Sequence, residues 1–102
     1  MTIAPTDLLS TIELANGVDP THTILWMHGL GADGNDFVPI VDEFALPSDT
    51  RIRFVFPHAP MRPVSINDGF VMRAWYDVLN LNFSQPEDED GLRDSQRAIE
   101  AL

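Results

Sequence analysis

With 102 residues, 44% of them hydrophobic, the chain is one small domain or part of a larger one, and a wholly disordered polymer is not expected. Six basic against sixteen acidic residues give a net charge of −10, which opposes phosphate backbones and anionic membrane surfaces. This argues against a nucleic-acid partner and reads as a solvated surface. The absence of cysteine excludes disulfides, thiolate metal sites and a cysteine nucleophile. No apolar run is long enough to span a bilayer, and Met1–Asp7 lacks the build of a secretion signal, so the expected compartment is the cytoplasm.

In chain order, Leu8 to Ala15 is apolar and β-prone, and Asn16-Gly17 supplies a turn that tolerates positive φ. Thr23 to His28 is a continuous apolar run without alternation, the pattern of a strand buried on both faces at the centre of a parallel sheet. It breaks into Gly29-Leu30-Gly31-Ala32-Asp33-Gly34. From Asp36 the residues Phe37, Ile40, Val41 and Phe44 fall at i, i+3, i+4 and i+7, one face of a helix capped by Asn35 or Asp36 and ended by Pro47. Pro39 lies in or beside the first turn, where it does little harm.

Ile52 to Phe56 is a second buried strand, stopped by Pro57 and the loop from His58 to Pro63. Val64–Ile66 and Phe70–Met72 flank Asn67-Asp68-Gly69 as a short hairpin, with Phe70 and Met72 read as packing residues. The polar, acidic stretch from Asn80 to Gly91 leads into a helix over Leu92–Leu102, with Leu92, Ile99 and Leu102 on one face and the acids at its positive end. No stop signal follows Leu102, so the chain reads as a partial domain, residues 1–102, ending inside an element.

The glycine turn admits three readings. Gly29, Gly31 and Gly34 have the spacing of a dinucleotide fingerprint, but that motif also needs an acid at the end of the next strand, roughly 20 residues on. Here that strand ends Phe56-Pro57-His58, with Asp49 on its wrong side. The second reading is a tight turn and nothing more. The third is an oxyanion loop, in which Leu30 offers its backbone N–H to a developing negative oxygen and the flanking glycines keep Cβ atoms out of the approach. Spacing alone does not choose among them. His28, at the strand end, reads as a residue that fixes the loop rather than as a base; His22 reads as exposed. The three histidines have no metal-ligand spacing, so no metal is expected.

Three ordered segments, Ile24 to Pro39, Phe56-Pro-His-Ala-Pro60 and Ala74-Trp-Tyr-Asp77, resemble the carboxylesterase / acyl-protein thioesterase family of α/β-hydrolases. The likeness runs from about Thr23 through the final helix. It implies an α/β fold with a mostly parallel sheet flanked by helices, and hydrolysis of short- to medium-chain acyl esters or thioesters without metal or cofactor. By this resemblance Leu30 is the oxyanion-hole donor, Gly29, Gly31 and Trp75 adjoin the substrate, and His58 is scaffold. Trp75 equally suits a core position.

One departure matters. The family's nucleophile sits in a Gly-x-Ser-x-Gly elbow, followed by aspartate and then histidine. None of Ser10, Ser48, Ser65, Ser84 and Ser95 has glycine two residues away on either side. The chain therefore reads as the N-terminal half of an α/β-hydrolase, with the catalytic triad elsewhere. The family's strand order would set the elbow strand beside Thr23–His28, leaving an unpaired edge. A complementary C-terminal half, self-association or poor folding is then expected. The alternative is a non-catalytic binding or interaction module built on the same half-fold.

Overall fold

The computed structural model of the chain describes residues 8–82 and 86–102. Met1–Asp7 and Ser84, which entered the sequence reading, lie outside the described residues. The run Ile52-Arg-Phe-Val-Phe-Pro57 forms β3, with β1 (Thr11–Asn16) on one side and β2 (His22–Leu25) on the other. β1 lies antiparallel to β3, pairing Thr11 with Pro57 and Asn16 with Ile52. β2 is parallel to it, pairing His22 with Ile52 and Leu25 with Val55. The parallel pair thus carries an antiparallel edge strand. Phe54, Val55 and Phe56 are buried because β3 has a neighbour along each side and cover on each face.

Central placement therefore belongs to β3 and not, as the apolar run at Thr23–His28 suggested, to β2. β2 is the sheet's other edge among the described residues, and its four residues are all exposed. It also ends earlier. Trp26 N–H still donates to Val55 O at 2.9 Å, and beyond that bond the chain leaves the ladder to start the glycine turn. An apolar run without alternation signals that both faces can be covered; it does not say which strand has a neighbour on each side.

The amphipathic segment after the glycine turn is a 3₁₀ helix, Val38–Phe44, rather than an α-helix beginning at Asp36. The chain bonds at a spacing of three residues already on the way into it: Asp36 N–H to Asp33 O, Val38 N–H to Asn35 O and Ile40 N–H to Phe37 O. Neither Asn35 nor Asp36 caps it. The Asp33 carboxylate instead takes the Asn35 N–H at 2.8 Å, and Pro39 contributes no N–H in the opening turn. Ala45, in the left-handed conformation, ends it two residues before Pro47. The packing role read from the spacing is nevertheless present. Phe37 and Phe44 stack on Trp26 with ring centroids 5.4 and 5.8 Å apart, and Trp26 stacks on Phe56 at 6.3 Å.

The hairpin is formed by β4 (Met61–Val64) and β5 (Phe70–Arg73), pairing Met61 with Arg73 and Val64 with Phe70. Its first strand begins three residues before the expected Val64, inside what read as a loop. A single 3₁₀ turn over Ser65–Asn67 replaces the tight turn. Phe70 is not a packing residue: it sits at the turn end of the hairpin and is 72% exposed.

The last element, α1, covers Glu89–Glu100 and starts before Leu92 because Asp88 is its N-cap, accepting from Gly91 N–H at 3.0 Å. Its buried positions are Gly91 and Ser95, whereas Leu92 is exposed. The Ser95 hydroxyl donates to Trp75 O, fixing the helix to the segment that carries the tryptophan. The 3₁₀ helix covers the sheet face of Phe54 and Phe56. Toward the other face, a cavity of about 260 Å³ separates Leu25 and Val55 from Ala101 and Leu102 at the end of α1. Among the described residues, no helix is long and apolar enough to cross a membrane.

Candidate active site

β2 delivers its chain to the sheet's carboxyl edge, and the turn that follows is held at several points. Gly31 N–H donates to Arg73 O of β5 at 3.0 Å, and Ala32 N–H to Gly29 O at 3.2 Å. Gly31 has φ +76°, a conformation that side chains strain to adopt. A Cβ on Gly29 would meet open space. Between them, Leu30 N–H has no hydrogen-bond partner among the described residues, and the residue is 45% exposed. The amide belongs to a turn and to no helix.

His28 is only 4% exposed and both ring nitrogens are engaged. Ala59 N–H donates to Nε2 at 2.9 Å, and Nδ1 lies 2.7 Å from Gly29 O. The ring fixes the loop and has no free nitrogen with which to move a substrate proton. His58, from the loop after β3, accepts the Gly34 N–H at Nδ1 over 3.0 Å. A Cβ on Gly34 would come within 2.6 Å of Phe56 O, so the close approach of turn to sheet requires glycine there. His22 is exposed and its Nδ1 lies 2.9 Å from the Thr21 hydroxyl, remote from this cluster in its contacts.

Trp75 joins the same framework. Its indole N–H donates to His28 O at 2.7 Å, and the two rings lie 5.3 Å apart in a tilted arrangement. One edge of the indole borders an open groove of about 640 Å³, with Met27 and His28 on one side and Leu92, Ser95 and Ile99 of α1 on the other. Gly29, Leu30 and Gly31 do not line this groove. The structure thus links Trp75 to the glycine turn through His28. Leu92 and Ile99, which the sequence places on one helix face, flank the groove.

A second polar cluster fixes the hairpin to the Trp75 segment, and the sequence reading had assigned it no role. Asp77 accepts the Ser65 N–H at 2.7 Å and the Ser65 hydroxyl at 2.6 Å, while its own N–H donates to the Asp88 carboxylate at 2.8 Å. Ser65 hydrogen bonds, first the hydroxyl and then the amide, hold the Asp77 carboxyl below the ordinary carboxylate value. A carboxyl lowered in the folded state stabilises above the unfolded pKa of about 3.9, and that contribution is lost as pH falls through the folded value. Replacing Asp77 by alanine is therefore expected to speed amide exchange at Ser65 at neutral pH. The wild type should approach the same behaviour only in acid below about pH 4. Equal exchange in both proteins at pH 7 would contradict this. The only available signal was the Asp in Ala74-Trp-Tyr-Asp77, whose partner lies twelve residues upstream.

The sequence profile of the Phospholipase/Carboxylesterase family matches residues 11–102. The chain is 39% identical over 89 residues to an acyl-protein thioesterase 1 of Mycosarcoma maydis, a match covering 85% of this chain and 37% of that protein. It is 38% identical over 81 residues to the carboxylesterase SOBER1 of Arabidopsis thaliana, covering 78% and 36% respectively. Among solved structures, the acyl-protein thioesterase 2 of Zea mays superposes with a TM-score of 0.76 at 33% identity, over 88% of this chain and 38% of that one. The chain spans little more than a third of the length of these relatives. Its strand, glycine turn and flanking helices are those of an α/β-hydrolase, and the chain belongs to the phospholipase/carboxylesterase family.

Proposed function

We propose that this chain supplies the oxyanion-hole loop, with Leu30 N–H as donor, and the Trp75 wall of a serine carboxylesterase or thioesterase that cleaves short- to medium-chain acyl esters. The serine, aspartate and histidine come from residues beyond these 102. Serine attack on the acyl carbon pushes charge onto the carbonyl oxygen, and a preset amide stabilises that charge only as it develops. The single observation that supports this reading is a Leu30 N–H without a partner among the described residues, in a residue 45% exposed, on a turn whose neighbouring peptide groups are bonded. Gly29 and Gly31 leave the approach to it open, and Trp75 borders the apolar groove where an acyl chain or a further strand would pack.

The exposed edge of β2 and the groove beside it suit a complementary C-terminal half that adds a strand there; without one, the same edge favours self-association. The test fuses these 102 residues to the C-terminal remainder of the Mycosarcoma maydis relative and assays hydrolysis of a short-chain p-nitrophenyl ester. Activity is expected in the fusion and in neither part alone. A folded but inactive fusion would leave the half-fold as a binding module and overturn the esterase reading.

A further inference from the structure

The two loops that meet at the sheet's carboxyl edge are joined by a pair of histidines reaching in opposite directions. His28, at the start of the glycine turn, accepts an amide of the loop after β3, that of Ala59, at Nε2. His58, in that second loop, accepts an amide of the glycine turn, that of Gly34, at Nδ1. A ring nitrogen that accepts an N–H must be bare. His28 is therefore neutral with its proton on Nδ1, where it donates to Gly29 O at 2.7 Å. His58, bare at Nδ1, carries its proton on Nε2.

The His28 bond reaches the proposed donor through a single peptide unit. Gly29 C=O and Leu30 N–H belong to one planar trans peptide and point in opposite directions. Fixing the Gly29 oxygen on His28 Nδ1–H and on Ala32 N–H therefore fixes where Leu30 N–H points. Ala59 selects the His28 tautomer that makes this possible, and the Gly34 bond to His58 closes the far end of the turn.

We propose that His28 and His58 are positioning residues that form a reciprocal clasp setting the direction of the Leu30 amide. This rests on the oxyanion reading of Leu30 but is read out without catalysis. In the fusion labelled with ¹⁵N-histidine, long-range ¹H–¹⁵N spectra should show His28 as the Nδ1–H tautomer and His58 as the Nε2–H tautomer. The Leu30 N–H residual dipolar coupling should change in His28→Ala and in His58→Ala. In His58→Asn, whose amide oxygen can occupy the Nδ1 position, it should stay near the wild-type value. In the same fusion, His58→Ala should lower kcat about tenfold or more with KM nearly unchanged, since the amide is engaged only in the transition state.

His28 found as the Nε2–H tautomer, or a Leu30 coupling indifferent to both alanine variants, would overturn the clasp. The tautomers are measured on the unmutated protein, so a variant that fails to fold leaves the decision standing. The assigned tautomers and couplings in a fusion that hydrolyses nothing would confirm the clasp and sink only the esterase reading.

Discussion

Replacing the Leu30 N–H with an ester oxygen, by semisynthesis of the chain and ligation to its C-terminal complement, is expected to lower kcat by about 10² to 10³-fold, or about 2.7–4 kcal/mol of transition-state stabilisation. The substitution keeps the side chain and the planar backbone, removes one proton donor, and weakens the Gly29 carbonyl as an acceptor for His28 and Ala32. KM should change little, because the neutral ground-state carbonyl draws less from the amide than the oxyanion does. Leu30→Ala should retain most of the activity, since the residue is 45% exposed and the reading assigns function to its main chain. A large loss in Leu30→Ala with little loss in the ester would place the function in the side chain and contradict the reading.

Phe56→Ala is expected to destabilise the folded fusion by about 3–5 kcal/mol, read as a lowered urea midpoint. Phe56 is 1% exposed in the central strand, with Trp26 stacked on it at 6.3 Å and Phe54 at 6.4 Å. Removing the ring leaves a void between β3 and the 3₁₀ helix and takes away the surface against which Trp26 holds Phe37 and Phe44. Against the 5–15 kcal/mol typical of a domain, that loss is large. Val71→Ala on the exposed hairpin should shift stability by less than about 0.5 kcal/mol. Comparable losses in both variants would mean that the aromatic stack is not the core.

What the sequence made legible was the material whose meaning is local. Ile52–Phe56 is apolar but for Arg53 and ends at proline, and it falls in β3, whose Phe54 to Pro57 are buried. Phe37 and Phe44 have helical spacing, and both meet Trp26. Three ordered segments pointed to the family, and the family profile matches. The errors arose where a pattern depends on partners far along the chain. β2 reads as a central strand, yet centrality depends on which strands flank it, and β3 holds both ladders. Helical spacing does not distinguish α from 3₁₀ when Asp33 takes the Asn35 amide and Pro39 withholds a donor. Phe70 looked like core because aromatics commonly are, but it stands at a hairpin tip.

At the site, His28 and His58 could be read as scaffold from the sequence, while their crossed bonds could not. Each depends on an amide at least 24 residues away. The Asp77–Ser65 and Asp77–Asp88 bonds were invisible for the same reason. Leu30 was the reverse case: its flanking glycines are visible in the sequence but leave three readings open, and in the structure the residue is 45% exposed with an N–H that has no partner among the described residues.

The division of labour between this chain and its complement is tested most directly by treating the active fusion with a fluorophosphonate and locating the adduct by mass spectrometry after proteolysis. A single adduct on a serine of the complement is expected, with every serine of this chain unmodified and hydrolysis abolished. An inactivating adduct on Ser10, Ser48, Ser65, Ser84 or Ser95 would place the nucleophile within these 102 residues and contradict the account.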